Sequence, residues 1–455
     1  MSEAALIYNL FPLLIGPIPR WEDHLDRIAA MGFTWIYLNP IHPPGLSGSL
    51  YAVRDYFGVN PLFHPENGGD PEAALRRYLK AASRRGLRVM LDLVINHTAI
   101  DSPLTTEQPH WYARDAAGRI KHPGAIDPAD ATKVTVWGDL AELEYWPVPD
   151  PDGLSAYWRR VLEYYLDLGF QGFRADAAYK IPGWFWERLI ASARGYSPEV
   201  RFFAETLGCR LEECSQLATA GFDFLYNSSK WWDFQEDWCL EQYARFRRLA
   251  PSVSFPESHD TERLAAETGA DQGVARQRYL FAAVFSSGLM MPVGYEYGFR
   301  KKLHVVETRP EDWEEPGYDL TDFVTRVNRL KRDCPVLLEE GPQVRLSPRG
   351  EPVVLLLKSR DRGPGRVLTI INASAENQLA KLPKLSRLLG PPSSAWRELT
   401  PGAPYTELMV DREFPLAGSQ VRLLWNPQAT PLPPEEESFQ PAEGPEPEGG
   451  RGKGA

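Results

Sequence analysis

Gly172-Phe173-Arg174-Ala175-Asp176 is a short run of β character that closes on a carboxylate. Arg174 and Asp176 lie two residues apart, so on a strand both side chains project to one side. Three other runs likewise end an apolar strand on a charged or polar side chain: Asp92-Leu93-Val94-Ile95-Asn96-His97, Phe203-Ala204-Glu205 and Phe255-Pro256-Glu257-Ser258-His259-Asp260. From Asp176 to Glu205 is 29 residues, close to one strand–helix repeat, and from Glu205 to Asp260 is 55, close to two. From His97 to Asp176 is 79, too many for one repeat, and the excess falls in a loop insertion rich in Pro, Asp, Trp and His. One such terminal polar residue is an ordinary cap or salt bridge. Four in order, at repeat spacing, mark the functional end of a barrel.

Working outward, β-type runs recur at residues 7–14, 34–38, 88–94, 172–174, 201–204, 222–225, 252–255 and 288–291. Stretches with helical periodicity separate most of them, as at 21–31, 71–85, 155–168, 184–192 and 275–285. Many of the strands are apolar on both faces, as parallel strands covered by helices are. The expected fold is α/β: a (β/α)8 TIM barrel with a short loop-insertion subdomain and a small C-terminal antiparallel β domain. The barrel takes residues 1–98 and 147–335, the insertion 99–146 and the β domain 336–425. The β domain reads from alternating runs at 344–346, 353–358, 366–372 and 420–425 between Gly, Pro and Asn turns. From 426 to 455, seven of 30 residues are Pro and Glu and Gly fill much of the rest, so a disordered tail is expected.

Composition narrows the function classes. Of 455 residues, 43% are apolar and 24% charged, ordinary values for a globular protein with a large core. No run of 18 apolar residues occurs and the start lacks a signal-type segment, so the expectation is a cytoplasmic chain with no membrane partner. Fifty basic against 61 acidic residues argue against a nucleic-acid partner. Four cysteines, Cys209, Cys214, Cys239 and Cys334, form no CxxC pair and no disulfide framework. Fourteen Trp and 19 Tyr suit sugar stacking, but large cores use them too.

The four motifs in this order resemble those of the α-amylase family, glycoside hydrolase family 13, over roughly residues 5–335. Gly288-Leu289-Met290-Met291-Pro292 followed by Gly294-Tyr295-Glu296, and Tyr51 with Asp55-Tyr56, are similar to further segments of that family. The resemblance implies roles. Asp176 would be the nucleophile, Glu205 the general acid and then base, and Asp260 the stabiliser of the transition state. Arg174 would hold Asp176 ionised. His97 and His259 would bond the sugar at the cleavage subsite, Tyr51 would stack on its face, and Asp92 would order the site.

The residues carry the same chemistry on their own terms. Retaining cleavage needs two carboxyls about 5–5.5 Å apart that differ in protonation. Arg174 beside Asp176 predicts a depressed pKa there. Glu205, following Phe202, Phe203 and Ala204 with no cation adjacent in sequence, predicts a raised one. A carboxylate such as Asp260 would stabilise an oxocarbenium-like charge.

The chemistry requires no cofactor. The resemblance leaves a structural Ca2+ open, with Asn96 and either Asp139 or Glu142 as ligands, although Lys180 stands where many members have His. No catalytic metal is expected. His110-Trp111-Tyr112, Trp137, Trp146 and Trp231-Trp232 are candidate sugar platforms or packing groups. Arg300-Lys301-Lys302 reads as a solvated loop or an anion contact. The leading expectation is a retaining α-glycosidase acting on short α-linked gluco-oligosaccharides. The alternative is a transglycosidase, a maltosyltransferase or glucanotransferase. The family's maltose-1-phosphate maltosyltransferases lack, in the fourth motif, the His that His259 supplies. A non-catalytic binding relative would lose the carboxylates, and all three are present.

Overall fold

A computed structural model describes residues 4–127, 130–381, 396–403, 407–408 and 413–432. Eight parallel strands close into a barrel: β1 (Leu6–Asn9), β2 (Trp35–Leu38), β3 (Arg88–Leu93), β4 (Gly172–Ala175), β5 (Arg201–Ala204), β6 (Phe224–Tyr226), β7 (Ser252–Ser254) and β8 (Gly288–Pro292). Each pairs with the next, and β8 returns to β1 with Leu6 opposite Leu289. The helices that follow are α1 (Leu25–Ala30), α2 (Pro71–Arg84), α3 (Pro151–Leu168), α4 (Gly183–Tyr196), α5 (Leu211–Thr219), α6 (Trp238–Phe246), α7 (Gln272–Phe285) and α8 (Thr321–Asp333). The fold is the expected one.

Local chemistry sets the boundaries. Asp70 caps α2, accepting from the Glu72 and Ala73 amides at 3.0 and 3.3 Å, and Pro71 opens the first turn where no amide is needed. Asp150 and Pro151 start α3 in the same way, and Gly169, at φ 116°, ends it. The first strand is shorter than its apolar run suggests. Pro12 cannot donate to a ladder and instead starts a helical turn, Pro12–Ile15.

Side chains fill the barrel interior. Ile7, Trp35, Tyr37, Met90, Phe203, Tyr226, Val253 and Met290 are all buried there. Trp35 meets Phe203 edge to face at 5.4 Å. A Cβ at position 172 would come 2.9 Å from the Trp35 ring, which is why glycine opens β4. The site therefore lies above a solid floor.

The chain between β3 and α3 forms two small antiparallel pairs, His97–Ala99 with Leu140–Glu142, and Gly124–Asp127 with Asp130–Val136. After α8 comes a six-stranded antiparallel sheet that includes β9 (Gln343–Arg345), β10 (Val353–Ser359), β11 (Arg366–Asn372) and, at the other end of its chain order, Val421–Asn426. It docks on the barrel through Lys358 of β10, whose ammonium donates to the Val284 and Phe285 carbonyls at 3.3 and 3.0 Å. Beyond Asn426 the chain stays attached: Arg366 donates to the Pro431 carbonyl at 3.0 Å and Leu432 is buried. The ordered chain thus runs past 426, because Leu432 has an apolar seat. The rest of the expected tail, 433–455, lies outside the described residues. Among the described residues, no helix is long and apolar enough to cross a membrane.

Candidate active site

β3, β4 and β5 are neighbours, and their register places Asp92 opposite Arg174 and Arg174 opposite Phe203. One guanidinium therefore sits between three carboxylates. Arg174 Nη1 lies 2.9 Å from Asp92 Oδ1 and 2.9 Å from Asp176 Oδ1, and Nη2 lies 3.0 Å from Glu205 Oε2. The two carboxyls of Asp176 and Glu205 thus hang on one rigid fork. Glu205 Oε2 also accepts the Ala177 amide at 2.7 Å. Ala177 supplies it from a left-handed conformation, φ 41°, unusual for a residue with a Cβ.

A second network holds the other wall. Asp92 is fully buried and accepts from the Tyr37 and Tyr51 hydroxyls, each at 2.6 Å. Asn39 donates to the Tyr51 hydroxyl at 3.0 Å. His259 Nε2 lies 2.7 Å from that hydroxyl and 3.0 Å from Asp260 Oδ2. Tyr51 gives its proton to Asp92, so the proton on this side belongs to His259 Nε2. The Tyr51 and His259 rings stack at 5.7 Å, 5° from parallel. His97 Nε2 donates to the Tyr51 carbonyl at 3.1 Å, which leaves Nδ1 as an acceptor.

Asp176, Glu205, Asp260, His97 and Tyr51 line one cavity of about 440 Å³, together with Trp137, Tyr179, Lys180 and His304. Arg174, Asp92 and His259 stand behind this surface. All eight expected site residues are gathered at the C-terminal end of the barrel.

One electrostatic expectation is overturned. Burial pushes the Asp176 carboxyl well above its usual range, and Glu205, Asp92 and Asp260 add to it; Arg174 pulls the other way without winning. Glu205, which has no cation adjacent in sequence, gains one in the fold, because Arg174 is shared with it across the strand register. Burial raises Asp260 too, but there His259, then Arg174 and Lys302, outweigh it and hold the carboxyl below its usual range. Burial pushes His97 down to about 4, so the ring is neutral.

Tyr37, Asn39 and Ala177 were not foreseen. Tyr37 and Asn39 end the apolar run of β2, and the rule that picked the other strand ends would have found them. Ala177 carries no sequence signal, since only its backbone is unusual. Glu257, in the fourth motif, turns away from the cavity and pairs with buried Arg263 at 2.7 Å.

Residues 2–122 match the glucanotransferase domain of glycogen debranching enzyme. Over 366 residues the chain is 28% identical to an α-1,4-glucan:maltose-1-phosphate maltosyltransferase of Burkholderia pseudomallei, covering 78% of this chain and 31% of that one. A Streptomyces coelicolor enzyme of the same description is 27% identical over 379 residues, covering 76% and 54%. The fold superposes on an α-amylase of Lactobacillus plantarum with TM-score 0.72 at 22% identity, covering 92% and 98% of the two chains. In fold the chain is similar to the α-amylases, and in sequence to these maltosyltransferases. It spans about a third to a half of the length of these two maltosyltransferase relatives.

The Ca2+ ligand set that the sequence resemblance leaves open does not assemble here. Asn96 Oδ1 is buried without a partner and faces the same cavity as Asp139. Glu142, however, is engaged by Lys121 at 2.8 Å, and the Lys180 ammonium lines that wall, 3.3 Å from the Gly124 carbonyl. Among the described residues no three His, Cys, Asp or Glu side chains converge. These donors do not fit a hard cation that takes six to eight oxygens.

Of the aromatic candidates, Trp111, Tyr112 and Trp232 are core, whereas Trp137, Trp146 and Trp231 are exposed. The Arg300-Lys301-Lys302 run is engaged within its own surroundings: Lys301 pairs with Asp312, Lys302 with Glu262, and the Arg300 amide with Glu314.

Proposed function

We propose that this chain is a retaining α-glucan transglycosidase, a maltosyltransferase or glucanotransferase. The fork of Arg174 carrying Asp176 and Glu205 together carries the retaining mechanism. The activities for which the relatives are named, maltosyl transfer from maltose 1-phosphate and glucanotransfer, support transfer over hydrolysis.

In this mechanism Asp176 attacks the anomeric carbon as the bond to the leaving oxygen breaks, and Glu205 gives that oxygen its proton. Burial pushes the Asp176 carboxyl up, and Arg174 at 2.9 Å opposes that push. Catalysis needs the proton on Glu205, and the shared guanidinium favours the ionised form of whichever carboxyl lacks it. Asp260, held ionised, faces the positive charge that develops at the sugar ring. An acceptor hydroxyl then attacks the glycosyl-enzyme, returning its proton to Glu205 and freeing Asp176.

Product analysis tests the reading. Incubation with maltooligosaccharides, alone and with maltose 1-phosphate, should yield lengthened chains. Shortened chains and free glucose or maltose only, whatever the acceptor concentration, would return the assignment to the α-glycosidase, for which water is the acceptor.

A further inference from the structure

We propose that Trp146 and Trp184, continuing from Trp137 on the cavity wall, form a track that holds the acceptor α-glucan beyond the catalytic carboxylates. This rests on the transfer reading and adds a place for the acceptor.

The insertion and α4 use several aromatics for packing: Trp111 and Trp186 are buried. Three other indoles from the same stretches are not, with Trp137 40%, Trp146 61% and Trp184 49% exposed. Their positions are connected. Lys180 lies on the cavity wall, four residues after Asp176. Its ammonium is 5.9 Å from the centre of the Trp137 ring, and its carbonyl accepts from Trp146 Nε1 at 3.2 Å. One lysine therefore carries an indole at each end, the first in the cavity and the second outside it. Next to Trp146, Tyr145 packs edge to face on Phe185 at 5.2 Å, and Trp184 sits on the same Phe185 at 5.6 Å. Trp146 and Trp184 are thus the solvent-facing neighbours of one buried pair.

An exposed indole fixed by a hydrogen bond leaves apolar area in water at a free-energy cost. A ligand with flat apolar faces and hydroxyl edges would cover it, and an α-1,4-glucan has that surface. Scattered single tryptophans need no such explanation, but exposed indoles linked to the cavity wall through Lys180 and the Tyr145–Phe185 pair do. The track would serve acceptors long enough to leave the cavity and would not touch short ones.

The test is affinity electrophoresis of the full chain through gels containing glycogen, which needs no turnover and so stands apart from the choice between transfer and hydrolysis. Trp146→Ala and Trp184→Ala should each raise the apparent Kd about fivefold, with the double variant close to unretarded. Trp146→Phe, which keeps a ring but loses the bond to the Lys180 carbonyl, should retain much of the binding. Trp238→Ala, an exposed tryptophan on α6, should not change it. In kinetics with an activated α-maltosyl donor, the double variant should raise KM for long maltooligosaccharide acceptors and leave that for maltose unchanged. Unchanged retardation in the double variant would overturn the track, as would equal KM changes for short and long acceptors.

Discussion

At the scale of single residues, Arg174 organises the site, since its five donors serve Asp92, Asp176 and Glu205 at once. Arg174→Lys keeps the charge but loses the fork. Its kcat/KM should fall about 10²-fold or more, while the unfolding midpoint moves far less than with Arg174→Ala, which strands three carboxylates. Glu205→Gln should cost about 10²–10⁴-fold on donors with poor leaving groups and much less on α-maltosyl fluoride. Equal losses on both would remove Glu205 from the acid role. Asp176→Asn should abolish turnover of either donor without abolishing binding. The acids themselves were legible, because each ends an apolar run at barrel spacing. Their protonation was not. Sequence shows Arg174 two residues from Asp176, but its contact with Glu205 spans 31 positions and follows from strand register alone. Burial, which decides the direction for Asp176, is likewise a property of the assembled barrel.

At the scale of elements, the strand–helix order was readable from periodicity, and the attachment of the last sheet was not. That junction depends on two buried lysines at the C-terminal end of α7. Lys331 of α8 donates to the Ala283, Ser286 and Leu337 carbonyls at 2.7, 2.6 and 2.9 Å, and Lys358 of β10 reaches the Val284 and Phe285 carbonyls. Two ammonium groups thus serve carbonyls that a helix end leaves without partners, where the helix dipole also favours cations. In sequence both look like ordinary surface lysines, since a Lys in a polar helix or a short strand carries no sign of burial. Burial pulls the Lys358 ammonium down to about 8 and Lys331 well below its usual range. Lys331→Met would leave three buried carbonyls unpaired, and should cost about 3 kcal/mol in urea unfolding. A change below ~1 kcal/mol would show that water replaces the ammonium there.

Over the whole molecule, three histidines that the fold keeps neutral should make stability depend on acidity. Burial, together with Arg27 for His24, pushes His24 and His97 down to about 4, and burial alone pushes His42 to about 3. The unfolded chain protonates each near 6.5, and the fold does so only at its lower value. Their contribution is therefore complete above pH 6.5 and is lost as pH falls toward 4. Between pH 7.5 and 5.0 each should remove ~2 kcal/mol of unfolding free energy. Asp176 works against them, because its raised pKa makes the fold bind a proton that the unfolded chain binds only at lower pH. His42 isolates the effect. It lies outside the site, both ring nitrogens are buried without partners, and Tyr56 and Tyr165 enclose it edge to face at 5.3 Å each. His42→Leu removes a titrating group and two unpaired polar atoms together. Urea unfolding at the two pH values should show the difference shrink by ~2 kcal/mol, with no loss at pH 7.5. An unchanged difference would mean that the ring is already protonated in the fold, which a nitrogen-15 NMR titration of the imidazoles would report independently.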